Sequence, residues 1–189
     1  MNAMVKTFLK SREAQLVAVM LLMVAAIASR FPGFIAPGNL ASVFNDTSIL
    51  IILAFGQMAV ILTKCIDLSI AANLALCGMA AALLNVAFPD LSLAVILPLT
   101  ILLGAMLGSV NGLLVWKLDI PSIVVTLGTM TIYRGIIFLL TDGAWINAHE
   151  MSDAFKAFPR STLIGLPVLS WFAIATIAAI YLVYTRTSF

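Results

Sequence analysis

The residues of this sequence that could do chemistry are a few polar side chains inside long apolar runs. Arg134 is the most costly, because an arginine within an apolar helix must pair, face water or reach the surface. Uncharged polar residues in such runs can bond a neighbouring helix or a polar solute. This predicts five pathway-facing side chains: Gln57, Asn73, Asn111, Thr129 and Arg134. The alternatives stay open: hydrogen bonds between helices, and for Arg134 snorkelling to the surface near Asp142.

Three glycines spaced four residues apart, Gly104, Gly108 and Gly112, share one face of a helix. Glycine lets a neighbouring backbone approach closely, so this pattern predicts helix packing. The alternative is a flexible helix that lines a pathway, which Asn111 on a neighbouring face favours.

A short polar segment, residues 63–69, interrupts the apolar pattern. Asp67 in this segment is predicted to cap the following helix, where free N–H groups and the positive end of the helix dipole attract a carboxylate. A contact of Asp67 or Ser69 with a substrate or a partner is the alternative.

Several kinds of catalytic and metal site are excluded by the sequence. Cys65 and Cys77 lie twelve residues apart, without the spacing of a zinc site, and His149 has no partner at ligand spacing. The chain contains no P-loop, no H-E-x-x-H and no G-x-S-x-G motif. We therefore expect no enzyme activity, no metal site, and no cofactor bound by this chain. A net charge of only +2 also argues against a nucleic-acid partner.

The elements that position these residues follow from composition. Hydrophobic residues make up 63% of the chain and charged residues 10%, whereas soluble domains carry about a quarter charged residues. Apolar runs of this length must be helices in lipid, because unpaired backbone groups are not tolerated there. The sequence predicts an all-α polytopic membrane protein whose partner is the lipid bilayer that surrounds its helices. Six runs suit spanning helices: residues 15–29, 48–63, 69–88, 91–118, 120–141 and 164–184.

The connections between the runs carry turn and charge signals. Residues 31–39 contain two prolines and two glycines, which end a helix, and residues 39–45 are predicted to form a short interfacial turn. Residues 142–163 form the one long polar segment and are predicted to be an ordered extracytoplasmic loop. No carboxylate lies in the middle of a run, which weakens a proton- or sodium-coupled secondary carrier without excluding it.

The distribution of lysine and arginine predicts a cytoplasmic N-terminus. Six basic residues then lie on the cytoplasmic side: Lys6, Lys10, Arg12, Lys64, Lys117 and Arg186. Three lie outside: Arg30, Lys156 and Arg160. The alternative for the N-terminal run is a cleavable signal peptide that ends near Ala28.

Three ordered motifs and a short connector then resemble a known family. Residues 66–69 read I-D-L-S, residues 111–112 read N-G, and residues 121–135 contain P-S-I-V-V-T-L-G-T-M and Y-R-G. Together with the connector at residues 37–40 they resemble permease subunits of monosaccharide ATP-binding-cassette (ABC) importers of the ribose, xylose and arabinose type. The rhamnose branch looks most similar, and an autoinducer-2-like branch is the neighbouring alternative. The motif positions are Ile66, Asp67, Leu68, Ser69, Asn111, Gly112, Pro121, Thr126, Leu127, Gly128, Arg134 and Gly135.

Two departures from the family pattern stand beside the first motif. Lys64 and Cys65 occupy positions where the family has two glycines, and Ile70 and Ala71 replace Val-Gly. A glycine-dependent turn is therefore in doubt at this point.

The resemblance implies a single transmembrane permease domain over residues 1–189, incomplete at the C-terminus, as part of a roughly ten-helix permease. It implies a multi-pass protein of the plasma (inner) membrane that works by alternating access. The implied partners are cytoplasmic ABC ATPase subunits, which use the ATP, an extracytoplasmic sugar-binding protein and a second permease subunit. The rivals are a secondary carrier or channel, a membrane enzyme and a non-functional truncated copy.

Overall fold

A computed structural model describes residues 12–186 of the chain. Lys6 and Lys10, which the predicted orientation places in the cytoplasm, and residues 187–189 lie outside the described residues. The described part is almost entirely helical, and the prediction of an all-α membrane protein is confirmed. Seven α-helices occur in it: α1 (Arg12–Arg30), α2 (Pro37–Leu62), α3 (Ile70–Ala87), α4 (Leu93–Leu118), α5 (Ser122–Thr141), α6 (Asp153–Ala157) and α7 (Val168–Arg186).

Five of the described helices, α2, α3, α4, α5 and α7, are long and apolar enough to cross a bilayer. The helix α1 carries a shorter apolar stretch, Ala14–Arg30. At 1.5 Å per residue, the 18 residues of α3 span about 27 Å and the 26 residues of α4 about 39 Å. These lengths bracket the roughly 30 Å thickness of a bilayer core.

The prediction of an interfacial turn over residues 39–45 is wrong, since α2 begins at Pro37, eleven residues before the predicted start at Ser48. A proline at the first helical position needs no N–H partner and has a φ that already suits the helix, so Pro37 starts a helix here. Asn39 Nδ2 donates to the Phe34 carbonyl at 2.7 Å and ties the first turn of α2 to the 3₁₀ turn Pro32–Ile35.

The described residues divide into two compact units, with the boundary between Asp46 and Thr47. In the first, α1 packs against the 3₁₀ turn Pro32–Ile35. In the second, α3 packs against both α4 and α5, and a small core joins Ala72 and Leu76 of α3 to Tyr133 of α5. The buried face of α3 is rich in small residues, which allow close approach of neighbouring helices.

The predicted extracytoplasmic loop, residues 142–163, is ordered into short elements. It contains α6 and the 3₁₀ turn Phe158–Arg160, and its last residues, Thr162–Leu163, pair antiparallel with Leu166–Pro167. The sixth span was predicted to begin at Ile164, but α7 begins at Val168, because Ile164 and Gly165 form the hairpin tip at φ of 52° and 77°. Lys156 Nζ lies 2.8 Å from Asp153 Oδ1 and lowers the pKa of that carboxyl.

Candidate functional site

The segment 66–69, which leads into α3, is held by two side chains of α5. The backbone N–H of Ile66 donates to Ser122 Oγ at 3.1 Å. Thr126 Oγ1 lies 3.3 Å from the Ile66 carbonyl and 2.8 Å from the Ser122 carbonyl, so its hydroxyl is shared between them. Both polar groups of the Ile66 backbone are thus paired with a helix that lies more than fifty residues later in the chain.

The helix α4 contributes the third contact to this segment. Asn111 Nδ2 donates to Ser69 Oγ at 2.7 Å, and Ser69 Oγ donates to Asp67 Oδ1 at 2.7 Å. Asp67 Oδ1 also accepts from the Ser69 backbone N–H at 2.7 Å. Ser69 is fully buried and Asn111 is 6% exposed, so this chain of hydrogen bonds is shielded from solvent. The three stretches that the sequence singled out as motifs therefore meet at one place.

Asp67 binds the start of α3 in a different way from the predicted cap. The residue at the N-cap position is Ser69, whose own side chain bonds no N–H of the helix. Asp67 instead closes a local turn onto the Ser69 N–H and hydroxyl, as Asx turns do. The carboxylate thereby orients Ser69, and Ser69 positions Asn111.

Two cavities flank Asp67. The larger, of about 490 Å³, lies between the end of α2, the segment 65–67, α4 and the start of α5, and its polar lining includes Asp67, Asn111, Ser122 and Thr126. We call it the Asn111 cavity. The smaller, of about 330 Å³, is lined by Asn73, Cys77, Thr100 and Gly104 as well as Asp67. We call it the Asn73 cavity. Most other lining residues of both cavities are apolar.

The five predicted pathway residues do not all gather at these cavities. Asn111 and Asn73 each line one of them, whereas Gln57, Thr129 and Arg134 line neither. Thr129 is buried, and its hydroxyl bonds the Val125 and Thr126 carbonyls of its own helix. Gln57 is half-buried, with its Oε1 lacking a hydrogen-bond partner among the described residues. The pathway role of all five side chains stays a prediction.

Arg134 lies on the outer face of α5, away from the buried Thr129 and Tyr133. It forms no salt bridge within residues 12–186. It is seven residues from the end of α5 at Thr141, a rise of about 10 Å, which an extended arginine side chain can partly cover.

A family model matches residues 39–189 and is described as the permease component of the branched-chain amino acid transport system. The match covers all three motif segments and both cavities. The chain belongs to this permease family.

Curated relatives of this permease share about a third of its residues. The autoinducer 2 import system permease protein LsrC of Klebsiella pneumoniae subsp. pneumoniae is 34% identical over 185 residues, which are 97% of this chain and 52% of that protein. The protein of the same name from Escherichia coli O157:H7 is 36% identical over 193 residues, 98% of this chain and 53% of the relative. The one from Photorhabdus luminescens is 38% identical over 148 residues, 78% of this chain and 43% of the relative.

The permease chain thus spans about half the length of the curated relatives it matches. No solved structure matches it significantly. The resemblance to ABC-importer permeases is confirmed at the level of the family, a family of transport proteins rather than of enzymes. The rhamnose branch receives no support from these relatives.

The turn at Lys64 and Cys65, which replace two glycines of the family pattern, is present in the permease. Lys64 lies in the left-handed region at φ 60°, its N–H donates to the Ile61 carbonyl at 2.9 Å, and the Cys65 N–H donates to the Val60 carbonyl at 3.2 Å. These two bonds form a Schellman motif, in which glycine is the usual residue at the position of Lys64. The turn is therefore formed without glycine.

The glycines of α4 differ from one another. A Cβ on Gly104 would lie 3.3 Å from Cys77 Sγ, so this glycine sits where α3 approaches closely. The spaces beside Gly108 and Gly112 are open to at least 4 Å, and both residues line the Asn111 cavity. Close packing is thus seen at Gly104, and the other two glycines widen a cavity.

Two polar contacts of the permease were missed by reasoning from the sequence. Ser122 carries one of the two bonds to Ile66, and its only signal was a hydroxyl directly after Pro121 at a helix start. Ser152 pairs with Asn85, and nothing local to either residue indicates that pairing. No group of three potential metal ligands occurs within residues 12–186, and His149 is exposed.

Proposed function

We propose that this chain forms part of the membrane path of an ATP-driven importer for a small hydroxylated solute. The observation that carries the proposal is the convergence of the three motif segments, through Ile66, Ser69 and Asn111, beside a cavity between the ends of α2 and α4 and the start of α5. A permease needs such a place, where a polar solute can exchange water for protein hydrogen bonds inside an apolar bundle.

Autoinducer 2 is the solute favoured by the three relatives described above, whose names carry that import function. The family description names branched-chain amino acids instead. The described lining of both cavities includes the carboxylate of Asp67 and neither lysine nor arginine, so the side chains there repel rather than neutralise the carboxylate of an amino acid. A neutral hydroxylated molecule such as autoinducer 2 or a monosaccharide fits this lining better, and rhamnose stays a candidate on the earlier resemblance alone.

In this proposal the permease performs no bond chemistry and binds no ATP itself. Cytoplasmic ABC ATPase subunits, an extracytoplasmic binding protein and a second permease subunit complete the importer in the plasma membrane, with the N-terminus of this chain in the cytoplasm. Binding of these partners shifts the permease between inward-open and outward-open states, because each partner has a different affinity for the two states.

The test is uptake of labelled autoinducer 2, rhamnose and ribose in a strain that lacks the gene, with and without the gene restored. We expect autoinducer 2 uptake to fall on deletion and to return on complementation. Uptake of all three compounds at the wild-type level in the deletion strain would refute the proposed solute class.

A second measurement separates an ATP-driven importer from a secondary carrier. We expect an ABC ATPase subunit to co-purify with the tagged permease from its native membrane. Uptake that persists when cellular ATP is depleted but stops when the proton gradient is removed would favour the carrier.

A further inference from the structure

We propose that two exposed apolar side chains, Trp145 and Ile164, insert into the headgroup layer of the bilayer on the side where α5 ends. We call this pair the anchor residues. Their insertion lays the loop 142–163 on the membrane surface, so the partner of these side chains is lipid and not another protein. The inference goes beyond the proposed function, because it requires only that the chain spans a membrane.

Both anchor residues lie on one side of the membrane. The bond from the Ile66 N–H to Ser122 Oγ joins the starts of α3 and α5, so these two helices run in the same direction. Asn85, near the end of α3, pairs with Ser152 of the loop, which fixes the loop at that end of the bundle. The connection from α5 to α7 therefore stays on this side, together with both anchor residues.

Trp145 lies just beyond the end of α5 and is 86% exposed. The chain folds back onto that helix end, because the Gly143 N–H donates to the Phe138 carbonyl at 3.2 Å, with Gly143 at a φ of 73°. Leu139 in the last turn of α5 is exposed as well, so the apolar surface that meets lipid continues up to Trp145. Tryptophan is typical of the membrane interface, where its ring contacts acyl chains and its N–H contacts headgroups.

The backbone conformation of Ile164 is costly for an isoleucine. The hairpin turn consists of Ile164 and Gly165, both at positive φ, and such turns favour Asn-Gly or Asp-Gly. A β-branched residue at positive φ is an outlier. Ile164 is also 84% exposed, so contacts within the described residues do not offset the cost. Contact with lipid offsets it, whereas in water an asparagine or aspartate suits the position better.

The hairpin that carries Ile164 is fastened to the first turn of α7. Trp171 Nε1 donates to the Leu163 carbonyl at 2.8 Å, and the Val168 N–H donates to the Ser161 carbonyl at 2.9 Å. The hairpin and the start of α7 therefore hold one position relative to the bilayer.

The length of α7 places the hairpin turn within reach of the headgroups. The 19 residues of α7 span about 28 Å, close to the roughly 30 Å of the bilayer core, so Val168 lies near the edge of that core. Ile164 comes four residues earlier and lies at most about 13 Å away, at 3.3 Å per residue. Residues 154–167 contain Lys156 and Arg160 but no carboxylate, and the exposed guanidinium of Arg160 suits the phosphates of lipids.

Spin labels measure where the anchor residues lie. In a background with Cys65→Ser and Cys77→Ser, a single cysteine is introduced at an anchor or a reference position and carries a nitroxide: Trp145→Cys, Ile164→Cys, Leu139→Cys or Ala148→Cys. The exposed Leu139 of α5 is the lipid reference, and the exposed Ala148 of the loop is the water reference. Each chain is placed in nanodiscs of phosphatidylethanolamine and phosphatidylglycerol. Electron paramagnetic resonance then gives the collision rates of the label with oxygen, which concentrates in lipid, and with a water-soluble nickel chelate.

We expect the ratio of the oxygen to the nickel collision rate at both anchor positions to be about tenfold higher than at position 148. A ratio equal to that at position 148, at either anchor position, would overturn the proposal and leave that side chain free for a protein partner. Protection from both reagents at either position would also overturn it, because the side chain would then be buried against protein, such as a second copy of the chain.

Ile164→Asn tests the native side chain, because lipid and water predict opposite results. Asparagine adopts a positive φ more readily than isoleucine does, so in water the substitution should stabilise the turn. In lipid the substitution removes the apolar contact, and hydrogen–deuterium exchange of residues 161–171 in the same nanodiscs should rise by about fivefold. Unchanged or slower exchange would contradict the insertion of Ile164.

The matched control is Lys64→Asn, since Lys64 also lies in the left-handed region, at a φ of 60°, and carries a charged side chain. Exchange around position 64 should stay unchanged or fall in this variant. A rise as large as that caused by Ile164→Asn would assign both effects to asparagine itself and would count against the insertion of Ile164.

Discussion

Asn85 and Ser152 hold each other through two hydrogen bonds across 67 residues of sequence: Asn85 Nδ2 donates to Ser152 Oγ at 2.9 Å, and the Ser152 N–H donates to Asn85 Oδ1 at 2.8 Å. Asn85 is almost fully buried near the end of α3, and Ser152 is the N-cap of α6. This pairing fastens the loop 142–163 to the end of α3.

Asn85→Leu should release this loop. The substitution keeps much of the volume but leaves the Ser152 N–H without its partner, which costs about 1–3 kcal/mol. Hydrogen–deuterium exchange in residues 142–163 should rise while exchange in α4 stays unchanged. Asn147→Leu, a change at an exposed position of the same loop, serves as the control. Equal exchange in the two variants would show that the pairing does not hold the loop.

Thr126→Val should loosen the segment 66–69. Valine has nearly the shape of threonine but cannot donate to the Ile66 carbonyl, and one such bond contributes about 0.5–1.5 kcal/mol. We expect a lower thermal unfolding temperature in detergent and a fall in solute uptake.

The matched control for that change is Thr131→Val on the exposed face of α5. The Thr131 hydroxyl bonds only the Gly128 carbonyl of its own helix, so its loss should change stability by less. A Thr131→Val effect as large as that of Thr126→Val would argue against a special role of the bond to Ile66.

Lys64→Gly should stabilise the protein. A side chain in the left-handed region costs roughly 1–2 kcal/mol, and glycine avoids that cost at some loss of chain entropy on folding. We expect the free energy of unfolding to rise by about 0.5–1 kcal/mol in chemical denaturation. Lys117→Gly, inside the last turn of α4, should lower it by about 1 kcal/mol. A Lys64→Gly variant less stable than the parent would mean that the lysine side chain has a contact of its own.

Gly104→Val should destabilise the contact between α3 and α4. The first added carbon would already lie 3.3 Å from Cys77 Sγ, and the two branches of valine need further space. Overpacking of this kind costs about 1–3 kcal/mol. Gly78→Val on α3, where the space is open, should be tolerated. The thermal unfolding temperatures of the two variants in detergent are compared. Equal temperatures would show that the close approach of α3 does not explain the glycine at position 104.

The long helices show where prediction from the sequence succeeds. Charges are scarce inside the apolar runs, so each run directly predicts a spanning helix. The ends of α4 and α5, at Leu118 and Thr141, fall at their predicted positions. The start of α2 was missed, because a proline-glycine pair was read as a helix end when it was a helix start. The hairpin tip at Ile164 was missed because an isoleucine at positive φ is rare.

The sequence by itself determined that the chain is a multi-pass helical membrane protein of the ABC-importer permease family, because hydropathy and short ordered motifs are local properties. It did not determine which polar side chains meet, since helices that are apolar on every side carry no periodic signal for the packed face. The tertiary structure alone decided that Asn111 reaches Ser69 and that Ser122 and Thr126 hold Ile66. Each of these bonds joins residues more than forty positions apart, and only the packing of α3, α4 and α5 brings them within reach.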